Sequence, residues 1–376
     1  MTVSGIIFSN LHDKNIPELT RQRTMASVPF ACRYRLIDFA LSNMVNSGIT
    51  DVRVITHNNY RSLMDHLGSG KDWDLARRSG GLKILPPFVG SYSGGENLYR
   101  SRLEALFGVI SSIQHIHSDY IVMSDCDSIC NIDLKDMVNK HIESGATLTL
   151  GVKDTVFEDR HLKNVNVIYA DKDGNVTDIE RDPRHATGVK SLGLNVMVVN
   201  TNELKSLLND ASAHGYSSFI NDVVRRNVGK YVFKVYRYDG VFRNIYSMKE
   251  YYDCNMQLLR DERFRKELIG NPLRPILTKV HNSAPTKYSD GAVVKNSLIA
   301  DGCIIKGTVE NSIIFRGVKI GRGTVVKNSI LFQDTYTGEN VFLNCVITDK
   351  DALIQDGRML SGHETLPFYI EKGQIV

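Results

Sequence analysis

Four short blocks in the C-terminal third repeat almost word for word: Asn296-Ser-Leu-Ile299, Asn311-Ser-Ile-Ile314, Asn328-Ser-Ile-Leu331 and Asn344-Cys-Val-Ile347. Their starts lie 15, 17 and 16 residues apart. Between them, Asp301-Gly, Lys306-Gly, Arg316-Gly and Ile320-Gly-Arg-Gly323 place glycine turns between very short β-branched runs. A period of this length with three short strands per coil leaves few folds open, and it fits a left-handed parallel β-helix whose aliphatic rungs stack as core. Some β-helices of this kind transfer acetyl groups with a His in the coils as base. Residues 289–350 hold no His, which excludes that chemistry. The end of the stack, Leu343 to Ile347 with the tail Leu366 to Ile370, needs covering by the first domain or by another subunit.

The preceding residues read as a separate α/β unit. Val3 to Phe8 and Asp51 to Thr56 are short apolar runs of buried-strand type. Leu36, Ile37, Phe39, Ala40, Leu41, Met44 and Val45 recur at helical spacing, and Gly48 stops that helix. Tyr120 to Met123 is a further apolar strand. Asn164 to Ile168 and Val176 to Ile179 form a hairpin around Asp171-Lys-Asp-Gly174, and Tyr251 to Leu268 reads as one long helix. Asn271-Pro-Leu-Arg-Pro275 then breaks the pattern. The expected division is an α/β domain over 1–270 with a mostly parallel Rossmann-like sheet, a linker over 271–288 and the β-helix over 289–376.

At 376 residues there is ample material for two cores. Lys+Arg 46 against Asp+Glu 42 gives a net charge of +4, too slight and too scattered for a nucleic-acid or membrane surface. Six cysteines without metal spacing read as reduced core thiols, and the first residues lack a signal peptide, so the expected compartment is the cytoplasm.

The block Arg33-Tyr-Arg-Leu-Ile-Asp-Phe-Ala-Leu-Ser-Asn43, followed by Asn46-Ser-Gly-Ile49, resembles the glucose-1-phosphate adenylyltransferases, or ADP-glucose pyrophosphorylases. The resemblance implies a sugar nucleotidyltransferase fold joined to a β-helix. It also implies a nucleotide loop after the first strand, where glycine N–H groups wrap a triphosphate. Here that loop reads Ser9-Asn-Leu-His-Asp-Lys-Asn15 without a glycine. Where the family carries Arg-Ala-Lys-Pro, this chain has Arg23-Thr24-Met25-Ala26, so Met25 replaces the phosphate-facing Lys. Ser9, Asn10, Tyr99 and Arg102 mark the remains of a nucleotide site. Ser101 and Arg102 replace a Gly-Thr pair; Arg102 either holds an anion bidentately or faces solvent at a helix start.

The family's Mg²⁺-binding carboxylate aligns with Asp125 at the end of the Tyr120 strand, where ligands of open α/β sheets gather. Asp127 is either a second ligand or a turn residue. Glu180-Arg-Asp-Pro183 stands for a Glu-Lys-Pro sugar-phosphate clamp, and Gly193, Asp222 and Asn244 fall on further sugar-phosphate positions, with Asn244 replacing a family Asp. The expected cofactor is Mg²⁺, weakly bound or absent.

The family reaction joins ATP and glucose 1-phosphate into ADP-glucose and pyrophosphate for glycogen synthesis. The losses resemble those of the GlgD-type subunit, which implies a regulatory chain, weak or inactive alone, in a tetrameric assembly with a catalytic GlgC-type subunit. Two other readings stay open. One is a competent enzyme with Arg23, Arg102 and Asp127 as substitutes; the other is a non-catalytic sensor of glucose 1-phosphate or another sugar phosphate.

Overall fold

A computed structural model describes residues 1–86, 99, 101–160 and 162–376. The first strand, β1 (Val3–Phe8), is followed by helix α1 (Leu36–Asn46) and the strands β2 (Asp51–Ile55) and β3 (Gly81–Leu85). Helix α2 (Arg102–Gly108) leads to β4 (Tyr120–Asp125). Then come β5 (Leu148–Arg160), β6 (Asn166–Ala170), β7 (Val176–Arg181), β8 (Ala186–Asn200) and β9 (Phe233–Arg237). The sheet runs β7-β6-β8-β4-β1-β2-β3, with β9 paired to β5 and β5 to β8. The β4-β1-β2-β3 part is parallel, and the long β8 joins it antiparallel through β4.

Helix α1 explains why its sequence is so distinctive. Residues Leu36 to Met44 are all buried, and its polar positions are fasteners: Asn43 donates from Nδ2 to the Cys130 carbonyl at 3.0 Å, while the Ser42 hydroxyl accepts from the Leu277 N–H at 2.8 Å. The block that carries the family resemblance is therefore packing. It lines no cavity described below.

The expected single helix from Tyr251 to Leu268 is instead two, α3 (Met248–Arg260) and α4 (Glu262–Ile269). Asp261 breaks the run because its side chain accepts from the Phe264 N–H at 3.0 Å and starts a new helix as its N-cap. Residues 271–286 then carry no helix or strand, yet they are strapped to the first unit through Asn46 and Asn131, which donate to the carbonyls of Pro275 and Arg274.

The C-terminal unit forms three five-stranded parallel sheets among the described residues, as the repeat spacing requires. The tail Phe368–Ile370 pairs with Val346–Thr348 as the last rung, and the first unit covers it as expected: Tyr369 packs against the shared apolar cluster and its hydroxyl donates to the Glu18 carbonyl at 2.9 Å. Gly321 shows how closely the coils stack, since a Cβ there would collide with the Gly338 carbonyl of the following coil. Gly321→Ala is expected to lower the unfolding free energy by about 1–3 kcal/mol, the usual scale of overpacking. Urea titration showing no shift in midpoint would mean that the turns are looser than this.

The two units share a core. Ile313, Ile330, Phe332 and Ile347 of the β-helix lie in one apolar cluster with Phe30, Phe39, Tyr251 and Met256. Phe332 meets Phe315 and Tyr251 edge-on at ring separations of 5.0 and 6.4 Å. All six cysteines are free thiols, five of them buried. No helix among the described residues is long and apolar enough to cross a membrane.

Candidate functional site

The site grows from one register. Phe8 pairs with Asp125 in the parallel β1-β4 ladder, so the loop after β1 passes over the end of β4. His12 in that loop reaches back, and its Nε2 lies 2.8 Å from Asp125 Oδ2 and 3.5 Å from Asp127 Oδ2. From the other side, Arg102 at the start of α2 donates to the same carboxylate twice, Nε to Oδ1 at 3.0 Å and Nη2 to Oδ2 at 2.5 Å. The guanidinium also lies over the Phe8 ring at 5.9 Å. Asn195 closes the group: it accepts from Arg102 Nη2 at 3.2 Å and donates to Asp127 Oδ1 at 3.5 Å. It sits at a register shift of β8 against β5 with a positive φ of 57°, and such bulges redirect a side chain toward a site.

Burial and the neighbouring charges oppose one another throughout this group. Burial disfavours ionised Asp125, but Arg102 and His12 outweigh it and hold its pKa below the ordinary value. Burial also works against charged His12 and Arg102, and in each case the facing carboxylates win and raise the pKa. Asp127 is pushed up by burial and by Asp125, against the pull of His12 and Arg102. A guanidinium and an imidazole thus face two buried carboxyl groups.

A resident Mg²⁺ does not fit this arrangement. Both Asp125 oxygens accept from a guanidinium, so an ion bound there would have to displace Arg102. This agrees with an expected Mg²⁺ that is weakly bound or absent, while His12, Asp125 and Asp127 still bring three potential ligand atoms together. The same geometry corrects the solvent-facing alternative for Arg102, which is buried.

The nucleotide loop is also spoken for. Ser9 donates to Asn10 Oδ1 at 2.5 Å, and that oxygen also accepts from Thr56 Oγ1 and the His57 N–H, each at 3.0 Å. Asn10 Nδ2 donates to Asp13 Oδ2 at 2.8 Å, while Asp13 Oδ1 accepts from the Met25 N–H at 2.7 Å. Ser9 and Asn10, expected at the nucleotide site, are buried and bonded within the protein. Burial lifts the Asp13 pKa to about 7, against the pull of Asn10, Met25 and His12. Met25 turns away from the cleft into the apolar cluster beside Ile16, Leu19 and Phe30. Arg23 cannot substitute for a lost phosphate ligand, because it is buried and holds both oxygens of Asp349 in the β-helix at 2.7 and 2.9 Å. Tyr99 is half-buried and packs edge-on to His57 at 4.5 Å. Gly94 to Leu98 and Arg100 lie outside the described residues.

The sugar-phosphate positions are divided. Arg181 lines a cavity of about 300 Å³ together with Lys14, Arg102, Ser101, Asn195 and Ser218. Gly193 and Asn244 line a different one, about 710 Å³, with Lys153, Arg243 and Tyr246. Glu180 accepts from the Tyr169 hydroxyl at 2.8 Å. Asp222 caps its own turn, accepting from the Ser218 N–H at 2.9 Å and the Ser217 N–H at 3.1 Å, and lines neither cavity. His12 and Asn195 are not among the candidates that the sequence offers. The only signal for His12 is a ring nitrogen in a loop that should have been glycine.

The profile of the nucleotidyl transferase family matches residues 14–260, and that of the GlmU-like C-terminal hexapeptide matches residues 282–365. The glycogen biosynthesis protein GlgD of Geobacillus stearothermophilus is 38% identical over 378 residues, covering 99% of this chain and 96% of that protein. The corresponding GlgD of Bacillus subtilis (strain 168) is 34% identical over 372 residues, with the same coverage of each. A glucose-1-phosphate adenylyltransferase of Thermotoga sp. (strain RQ2) is 33% identical over 317 residues, 82% of this chain and 72% of that protein.

Proposed function

The chain belongs to the nucleotidyl transferase family, among the glycogen-biosynthesis proteins related to glucose-1-phosphate adenylyltransferase, and from that premise we propose that it is a regulatory subunit, weak or inactive alone. Its partner in this reading is a catalytic GlgC-type chain, in a tetrameric assembly that makes ADP-glucose. One observation carries the proposal. In the loop that should cradle a triphosphate, the Asn10 side chain is taken up by Ser9, Thr56, His57 and Asp13. Catalysis of phosphoryl transfer rests on preorganised donors and cations around the phosphates. With the Asn10 and Asp13 side chains paired internally and Met25 in place of a lysine, the loop keeps Lys14 as its cation but lacks the preorganised cradle of such a site.

The test is ADP-glucose formation from ATP and glucose 1-phosphate by the purified chain, by a GlgC-type chain and by their mixture. The chain alone is expected to turn over at least about 100-fold more slowly than the mixture, the scale set by losing one preorganised electrostatic group. The mixture is expected to exceed the catalytic chain alone. Comparable turnover by the isolated chain would remove the regulatory reading and favour an enzyme with substitute residues. Of the three substitutes for such an enzyme, Arg23 and Arg102 already hold internal carboxylates.

The sensor reading has its own support in the cavity of about 300 Å³, where Lys14 and Arg181 stand among amide and hydroxyl groups suited to a sugar phosphate. Binding of glucose 1-phosphate in calorimetry, with no change in a partner's activity, would select it.

A further inference from the structure

His12, Asp125 and Asp127 each offer one ligand atom, and these atoms all lie within 4.8 Å of one another. Asp127 Oδ2 in this group is buried and accepts no hydrogen bond among the described residues. One imidazole nitrogen with two carboxylates is a donor set for a divalent transition ion and a poorer one for Mg²⁺, which prefers oxygen ligands and keeps its waters. What stands in the way is a side chain. Arg102 lays its planar fork along Asp125, is held there by Asn195, and lies over Phe8.

We propose that Arg102 is the built-in cation of this centre, and that it alone keeps His12, Asp125 and Asp127 from forming a divalent-metal site. Removing the guanidinium leaves two buried carboxylates without their fixed counter-charge, with the imidazole and the vacated volume beside them. Carboxylates in that condition take up a proton or a cation, and a divalent ion that also gains the imidazole competes with the proton. A divalent ion restores the balance and gains His12 as a ligand. The inference rests on the geometry of Arg102 and is independent of whether the chain regulates a partner, since its test reads metal binding and no activity.

The full-length chain and Arg102→Ser are each titrated with MnCl2, followed by calorimetry and by the electron paramagnetic resonance of free Mn²⁺. The parent is expected to show no saturable site at concentrations where Arg102→Ser takes up one equivalent, a difference of at least about 100-fold in affinity. Mn²⁺ is expected to raise the thermal midpoint of Arg102→Ser but not of the parent, and EDTA to reverse it. Adding His12→Ala to Arg102→Ser is expected to weaken the site at least about tenfold, on the scale of losing a coordinating interaction. If Arg102→Ser does not fold, Arg102→Gln, which keeps a good helix former at that position, is titrated with the same expectation. Two results overturn the proposal: one equivalent of Mn²⁺ bound by the parent within about tenfold of the variant, or a folded variant that binds none.

Discussion

Replacing Arg23 by Met is expected to cost the protein about 3–5 kcal/mol of unfolding free energy, the scale measured when one partner of a buried ion pair is removed. Both charges lie out of solvent, and Arg23 Nη2 spans both Asp349 oxygens at 2.7 and 2.9 Å. Without the guanidinium, Asp349 keeps only the Tyr369 hydroxyl, at 3.0 Å, as a side-chain donor among the described residues. The double variant Arg23→Met with Asp349→Leu is expected to recover most of the loss, because an apolar pair of similar volume leaves no charge stranded. Urea unfolding of the parent, the single and the double variant reads this directly. A single variant as stable as the parent would show that water reaches Asp349 and that the pair is no clasp between the two units.

Met25→Lys is expected to weaken the fold by a similar amount, about 3–5 kcal/mol, and to leave ATP affinity unchanged. Alignment with active relatives invites the opposite expectation, since a lysine there faces phosphate. In this chain Met25 is buried in the apolar cluster that holds Ile16, Leu19, Val28, Phe30 and Tyr251, and a Lys would bring an ammonium into it. The cleft lies on the other side of the backbone. Only the Met25 N–H is turned toward the loop, where Asp13 accepts it. Urea unfolding together with ATP calorimetry decides the matter. A variant as stable as the parent that had also gained ATP binding would place the side chain in the cleft after all.

Periodic features are legible in the amino-acid sequence itself. The repeat starting at Asn296 implies the stacked coils, the helical spacing of Leu36 to Val45 implies α1, and an apolar strand ending in Asp125 implies where ligands gather. Each depends on neighbours in sequence. The centre itself depends on partners far apart: His12 and Asp125 are 113 positions apart, and Arg102 and Asp125 are 23. Only the Phe8 to Asp125 register brings them together, and no local pattern reports a register between parallel strands. Arg102 is visible as a substitution, but its target is not. Asp261 differs from these. Its capping side chain is in plain view, and the break between α3 and α4 is masked because the apolar stripe continues across it.

The resemblance rests chiefly on Arg33 to Asn43, whose helix is core, while the positions that would decide chemistry have changed around it. Packing constrains a helix buried along most of its length to a narrow vocabulary. A loop need only stay satisfied in its hydrogen bonds. Shape was therefore kept with the core, and the cleft was free to close upon itself.

Ile313, Ile330, Phe332 and Ile347 meet Phe30, Phe39, Tyr251 and Met256 in a cluster to which both units contribute. Severing the polypeptide within 271–286 would not release two tidy modules, because each product would carry away an oily wound the width of that contact and stick to whatever it met. The seam is where the molecule is glued, so a hand that grips the coils also holds the loop over Asp125.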